Sequence, residues 1–403
     1  KLIDLFSLGS QALTGVFVKP GQPDPLVVPL NLVICESCKL LQSSNTVSPD
    51  LMYTEYWYRS GTNRTMTDHL AGIVNDVNSM VKLRADDIVI DIGCNDGTLL
   101  AAYDVPGLVR IGVDPSNAIQ AIKDHAVIKV NNYFTYQNIE KILAKKKAKT
   151  ITSISMFYDL DKPNNFIKDI VNCLDPEGVW VVEMNYTGTM IGKLGYDMIS
   201  HEHLGYYTLR TFRRLIERHG VYVNHVSFNP INGGSIRIFS SPRNIQTSDV
   251  DKVLAQELAD GLEDVTTYKE YASRLSAFKH KLASFLRSLR DQGNRIAVYG
   301  ASTRGNTILQ HCELKRDVLF AAADRNPGKW GLETSGSRIP IWAEQDVRQC
   351  KPDYMLVLPY YFLDEFISRE HAYLEAGGKF IIPLHQLRVI SMENGKILEQ
   401  IVN

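Results

Sequence analysis

The chain has 403 residues, 22% of them charged, and a formal net charge of −1. That length exceeds one ordinary core and predicts two or three domains, while the near-neutral balance argues against broad attraction to nucleic acid or to an anionic membrane. No apolar run reaches the length of a membrane span and Asp4 interrupts the mildly apolar N-terminus, so the expectation is a cytoplasmic protein without a secretory leader.

Residues 1–65 are rich in turns and aromatics. Cys35 and Cys38, in NLVICESCKLLQ, form a Cys-x-x-Cys pair, and two thiolates on a hairpin knuckle supply half of a structural zinc site, which needs four ligands. No histidine precedes His69 and no further cysteine precedes Cys94, so the second pair is expected upstream of Lys1. The competing reading is two plain thiols on a turn. The remaining cysteines are too scattered for a disulfide framework. Tyr53, Tyr56, Trp57 and Tyr58 then crowd before a turn at Ser60 and Gly61; they form either a packed edge or the wall of a pocket.

The spacing of Leu70, Ile73, Val74, Val77 and Val81 predicts a helix from Thr67 that packs on a sheet. Ile88 to Ile90 reads as a strand buried on both faces, and Gly93 and Gly97 turn the chain into Leu99 and Leu100. Glycines let a backbone approach a ligand closely, and ligands of open α/β sheets sit past the carboxyl ends of the strands. A second strand, Val109 to Val113, ends in Asp114, which suits the two hydroxyls of a ribose. Asp91 stands two residues before Gly93. Its charge would repel a pyrophosphate and attract the ammonium group of a methionine moiety. The pattern Asp-x-Gly-x-x-x-Gly also differs from the dinucleotide fingerprint. S-adenosylmethionine is therefore preferred over NAD, with Asp91, Gly93, Asn95, Gly97 and Asp114 as cofactor-binding residues and Tyr58 and Ser60 beside them. An ordinary glycine turn without a ligand is the plain alternative.

Alternation continues with a helix from Ser116, strand Val127 to Val130, a helix near Ile139, strand Thr150 to Met156, helix Phe166 to Leu174 and strand Val179 to Glu183. Such βα alternation predicts a parallel, doubly wound sheet. After helix Thr211 to His219, strands Tyr222 to Phe228 and Ser235 to Ser240 flank a short turn, which makes them antiparallel. A parallel sheet closed by such a hairpin indicates a class I methyltransferase.

Between these parts lies SHEHLGYYTL, Ser200 to Leu209. Outside a regular helix, His201 and His203 would point one way and Glu202 the other. A base of near-neutral pKa beside a carboxylate is what proton abstraction next to a carbonyl requires. A zinc reading of His-x-His lacks a third local ligand, and histidines satisfied by the backbone are the plain alternative.

Residues 249 to about 292 carry a helical apolar period and predict long helices bridging two domains. A second α/β unit then runs through strand Arg295 to Tyr299, the turn GASTRG, a helix from Asn306, a strand ending at Asp324, and strands Tyr354 to Leu358 and Phe380 to Ile382. Amides of that turn with Arg304 would hold a phosphate, unless the unit is purely structural. The expected domains are residues 1–65, of zinc-binding type; 66–245, binding the methyl donor; 246–292, a helical linker; and 293–403, Rossmann-like.

The combination of the Cys35-x-x-Cys38 knuckle, YWYRSG, DIGCNDG with GVD, HEHLGYY, NGGS from Asn232 to Ser235, YGASTRGNT and DRNPGK resembles the sugar C-methyltransferases over nearly the whole chain. The resemblance implies a three-domain enzyme that methylates C3 of a 4-keto deoxysugar carried on a nucleoside diphosphate, through an enolate, and no nucleic-acid or membrane partner. It implies His203 as base supported by Glu202, with His201, Tyr56 and Asp159 in the catalytic set, and Glu183, Tyr186, Asn232 and Arg304 toward the substrate. Arg304 is expected to meet the phosphates. Ser200 stands where the family pattern has a tyrosine, and Asp159 where it often has a histidine. Both departures bear on the acceptor. The alternative function is methylation of another small molecule at oxygen, nitrogen or an aromatic carbon.

Overall fold

The computed structural model describes residues 1–53 and 57–402. The N-terminal part holds strands β1 (Leu2–Ala12), β2 (Phe17–Val18), β3 (Val27–Cys35) and β4 (Leu41–Ser43), where the sequence had suggested mainly turns. β1 is eleven residues long and antiparallel to β3, with register shifts between Asp4 and Phe6 and between Ser7 and Ser10. Bulges of this kind break the period-two alternation by which a strand is recognised.

The helix Arg64–Met80 starts three residues before the expected Thr67 and buries Leu70, Ile73, Val74 and Val77, as the spacing predicted, together with Met66, while Val81 caps its end and is half-buried. The strands that follow are β5 (Ile88–Ile92), β6 (Val109–Val113), β7 (Val127–Val130), β8 (Ala148–Ile154), β9 (Leu174–Asn185), a two-residue β10 (Gly205–Tyr206), β11 (Tyr222–Asn229) and β12 (Ser235–Ser241). Seven of them form one sheet in the order β7-β6-β5-β8-β9-β12-β11, with β12 antiparallel to both neighbours and the first five parallel. The order reverses at β5, so a crevice opens beyond its carboxyl end. The expected helix from Ser116 is only a 3-10 turn, Asn117–Ala121, capped by the Ser116 hydroxyl, which accepts from the Ala118 amide at 3.2 Å.

Two helices, Ser248–Ala259 and Val265–Asp291, lead to the C-terminal unit. Its strands are β13 (Ile296–Tyr299), β14 (Ala322–Asp324), β15 (Glu333–Thr334), β16 (Ile341–Ala343), β17 (Tyr354–Val357), β18 (Lys379–Ile382), β19 (Arg388–Glu393) and β20 (Lys396–Ile401). The sheet order is β16-β14-β13-β17-β18-β19-β20, parallel up to β18.

The three larger sheets are stitched together. β10 pairs with β4, so the segment after His203 joins the N-terminal sheet, and β15 pairs with β2. From the helix Thr303–His311, Asn306 Nδ2 donates to the Thr14 carbonyl at 2.7 Å, while Gln310 bonds both the amide and the carbonyl of Ala12. No helix among the described residues is long and apolar enough to cross a membrane.

Candidate active site

A cavity of about 590 Å³ opens at the switch point of the central sheet. Asp91, Gly93, Asn95 and Asp114 line one side of it, and Asp159, Ser200, Glu202, His203, Asn232 and Arg304 line another, with Tyr58 and Ser60 also on its wall.

On the first side, Asp91 closes β5 and is 3% exposed. Thr152, from the adjacent β8, donates its hydroxyl to Asp91 Oδ1 at 2.6 Å. Burial pushes the Asp91 carboxyl up to about 7, with Thr152 opposing and Asp114 adding repulsion. A buried acid so raised is one that a ligand cation would return to its charged form. Asp114 is held by the Asn95 amide at 2.8 Å, by the Ser116 amide at 2.8 Å and by the Ser116 hydroxyl at 2.5 Å. These bonds fix the carboxylate and leave acceptor sites on each oxygen, as hydroxyl recognition requires. Asn95 adopts φ 52° and its side chain bridges to the neighbouring strap: Nδ2 donates to the Tyr58 carbonyl at 3.1 Å and Oδ1 accepts from the Ser60 amide at 3.1 Å. The Asn95 side chain thus ties Tyr58 and Ser60 over the glycine loop. Gly97 lies outside the cavity lining; at φ +78° it starts the helix Thr98–Ala101, and a Cβ there would stand 2.8 Å from Ile122.

On the second side, His203 is 8% exposed and its ring meets Tyr158 edge-on at 4.3 Å. Its Nδ1 lies 2.5 Å from the Met198 carbonyl. A carbonyl only accepts, so this contact places the ring proton on Nδ1 and leaves Nε2 as the basic nitrogen. Burial lowers the His203 pKa to about 4, the Met198 carbonyl opposing and the Arg304 charge adding to the drop. The ring is therefore neutral at pH 7, and its pKa lies below the near-neutral value expected of the base, because burial disfavours the imidazolium. Burial also raises Glu202 to about 7, and its carboxyl packs so closely on Gly15 that a Cβ there would meet Oε1 at 2.4 Å.

The expected alternation of side chains fails here. Ser200 to Leu204 is a bend, with the His203 amide turned back to the Ser200 carbonyl at 3.3 Å, rather than an extended strand. Glu202 and His203 consequently share the cavity, and His201 faces away, with Nε2 3.0 Å from the Val28 carbonyl.

Other expected substrate residues also lie elsewhere. Glu183 is 1% exposed behind the cavity, accepting from Arg237 Nε at 2.8 Å and Asn229 Nδ2 at 3.0 Å, with His69 Nε2 at 2.5 Å. Burial raises its pKa, but His69 and Arg237 together hold it below the ordinary value. Tyr186 donates its hydroxyl to Glu257 at 3.0 Å. Neither lines the cavity. Arg304 does, yet it is not a free cation: Nη2 is 2.6 Å from Asp197 Oδ2, Nη1 donates to the Asn232 carbonyl at 2.7 Å, and the guanidinium lies 4.9 Å from the Tyr361 ring centroid. With its charge balanced inside the protein, Arg304 is poorly suited to the phosphate role expected of it. Asn232 lines the cavity in a left-handed conformation, φ 55°. Tyr56 lies outside the described residues.

Cys35 and Cys38 sit on a knuckle where the Lys39 amide donates to the Cys35 carbonyl at 2.9 Å, and the Cys38 amide holds the Cys35 thiol below its usual pKa. Burial raises the Cys38 thiol instead, so the turn favours the thiolate at Cys35 alone, while the spacing of the pair fits two of four zinc ligands. No third His, Cys, Asp or Glu gathers with them among the described residues, so these residues do not complete a zinc site.

Sequence reasoning missed Thr152, Asp197 and the Met198 carbonyl. Thr152 carries a readable signal, a hydroxyl at the strand end beside the Asp91 strand; Asp197 carries none, since its partners Arg304 and Tyr360 are remote in the chain, and Met198 carries none because it acts through a backbone carbonyl that any residue has.

A sheet ordered β7-β6-β5-β8-β9-β12-β11 with an acidic glycine loop at its switch point defines a class I, S-adenosylmethionine-dependent methyltransferase. Residues 1–53 match the family model of a putative zinc binding domain, 64–226 that of a methyltransferase domain, and 230–385 that of the C-methyltransferase C-terminal domain. The C-methyltransferase NovU of Streptomyces niveus is 29% identical over 401 residues, spanning 97% of this chain and 95% of its own. The three models lie in this order along the chain, which is thus similar over nearly its whole length to a C-methyltransferase. Solved structures are more distant: magnesium protoporphyrin IX methyltransferase of Synechocystis PCC 6803, with bound SAH, is 12% identical over 44% of this chain and 87% of its own, with a TM-score of 0.34. CalO1, a methyltransferase of calicheamicin biosynthesis, is 12% identical over 44% of this chain and 55% of its own, with a TM-score of 0.33.

Proposed function

We propose that this C-methyltransferase acts on C3 of a 4-keto deoxysugar linked to a nucleotide, with His203 as the base. The observation that carries the reading is the state of His203: a buried, neutral imidazole whose Nδ1 is committed to the Met198 carbonyl, in the same cavity as Asp91 and Asp114. A saturated carbon must become nucleophilic before it can take a methyl group, and a carbon beside a ketone does so by losing a proton. His203 Nε2 takes the C3 proton; the C–H electron pair moves into the C3–C4 bond and the keto oxygen takes the negative charge. The enolate's C3 then forms a bond to the methyl group as its bond to sulfur breaks, which restores the ketone.

Asp91, Asn95 and Asp114 are placed to hold S-adenosylmethionine, which supplies the electrophilic methyl group when bound. Asp91 would face its positively charged end and Asp114 its ribose. Glu202, titrating near 7, supports the imidazolium formed on His203. The burial of Asp91, Asp114 and His203 strengthens each of these interactions. Ser200, buried with no hydrogen-bond partner for its hydroxyl among the described residues, is free to meet an acceptor oxygen. The structural zinc implied by the N-terminal family model stays a proposal here and takes no part in this chemistry.

The test separates proton abstraction from methyl transfer. With S-adenosylhomocysteine in place of the donor, dTDP-4-keto-6-deoxyglucose in D2O should exchange its C3 proton, and His203→Asn should slow that exchange by about 10² to 10⁴, the usual span for a general base. Unchanged exchange in the variant would remove His203 from the reaction.

A further inference from the structure

Met198 supplies the carbonyl that fixes the His203 ring, and both residues flanking it are held from the C-terminal unit. On one side, Asp197 is completely buried; it lies 2.6 Å from Arg304 Nη2 and accepts from the Tyr360 hydroxyl at 3.2 Å. On the other, the Ile199 carbonyl accepts from Thr307 Oγ1 at 3.1 Å. Arg304 and Thr307 are three residues apart on the helix Thr303–His311 and so share a face. Ser302 caps that helix by accepting from the Gly305 amide at 3.0 Å, which steadies the turn that carries Arg304.

We infer that this helix of the C-terminal unit positions the base: Arg304 and Thr307, acting through Asp197 and Ile199, hold the Met198 carbonyl where it keeps the His203 proton on Nδ1. The inference rests on His203 being the base. Its physical content is that a neutral imidazole chooses between two tautomers by the hydrogen bonds it is offered. Only the Nδ1–H form presents a lone pair at Nε2. If the 197–199 segment relaxes, the other tautomer is populated and the same ring offers an N–H where a base is needed. Around the ring, Tyr158 meets it edge-on, the Met198 carbonyl holds Nδ1, Glu202 lines the same cavity, and burial with the Arg304 charge, paired with Asp197, lowers its pKa. Arg304 and Thr307 are therefore positioning residues, and the C-terminal unit contributes to the reaction without having to touch the acceptor through them.

The tautomer can be read directly by two-bond ¹H–¹⁵N correlation on the full chain with ¹⁵N-labelled histidine, the His203 signals being those lost in His203→Asn. The wild type should show Nδ1–H. Thr307→Val, which exchanges one buried hydroxyl for a methyl group, and Asp197→Asn should each move His203 toward a mixture with Nε2–H. Thr307→Val should also slow C3 exchange about tenfold, as expected for loss of one buried hydrogen bond, while leaving the affinity for S-adenosylmethionine unchanged. Arg304→Gly should lose exchange and regain part of it with added guanidinium. A His203 tautomer unmoved in both Thr307→Val and Asp197→Asn overturns the inference. If that happens while His203→Asn is inactive, only the positioning role falls; exchange that survives in His203→Asn removes the base assignment itself.

Discussion

Donor affinity should depend on pH through Asp91. In the free protein this acid is buried, with Thr152 donating to one oxygen, and it titrates near 7. S-adenosylmethionine brings a cation, so it binds the carboxylate form and must displace the proton below that pH. Taking a midpoint of about 7, the charged fraction falls from roughly 0.8 at pH 7.5 to roughly 0.03 at pH 5.5, so affinity drops about 25-fold, or about 2 kcal/mol. At pH 6.5 binding should release roughly 0.8 proton, since that share of Asp91 is protonated beforehand. Calorimetry in two buffers of different ionisation enthalpy reads the affinity and the proton count in one experiment. Asp91→Asn should bind more weakly at pH 7.5 and lose most of the pH dependence, while Glu202→Gln, which removes the other acid titrating near 7 in the cavity, controls for its share. Binding that is flat from pH 5.5 to 7.5, or a slope unchanged in Asp91→Asn, would refute the reasoning.

The same raised acid has an opposite consequence for the free protein. A carboxyl whose folded pKa lies above its unfolded value stabilises fully below the unfolded pKa and loses that contribution as pH rises through the folded one, so Asp91→Asn should raise apo stability at pH 8 by up to about 4 kcal/mol. In thermal melts the gain should shrink toward pH 4. Glu183→Gln should destabilise by about 3 kcal/mol in denaturant melts, because it weakens the buried set in which Arg237 pairs with both Glu183 and Asp76. Gly97→Ala should cost about 1 to 3 kcal/mol, combining the positive φ with the close approach to Ile122, and should weaken donor binding measured at the same temperature.

Much of the central sheet was legible because its signals are local. The continuous apolar strand before Asp91, the glycine turn, the acid after the second strand and the short turn before Ser235 each follow from a few adjacent residues, and together they imply the observed parallel sheet closed by an antiparallel hairpin. The N-terminal strand β1 was hidden by its bulges, which shift the alternation twice within eleven residues. The donor half of the cavity was readable for the same local reason. The acceptor half was not: the HEH segment bends where an extended strand was expected, and the retreat of His201 to Val28 and the neutralisation of Arg304 by Asp197 depend on contacts between residues about a hundred or more positions apart. Glu183 and Tyr186 occupy plausible sequence positions at the end of β9, yet their side chains are spent on Arg237 and Glu257. Alternation along a strand says which face a residue takes, and it cannot say which partner waits there.

The central claim is that the methyl group goes to a carbon made nucleophilic beside a ketone. Incubating the protein with ¹³C-methyl S-adenosylmethionine and dTDP-4-keto-6-deoxyglucose, then locating the label by NMR, tests it most directly. The account predicts a new methyl group bonded to C3, next to the intact C4 ketone. Label appearing on an oxygen, or on a carbon not adjacent to the ketone, would contradict it, and label on C5, the ketone's other neighbour, would refute the assignment to C3.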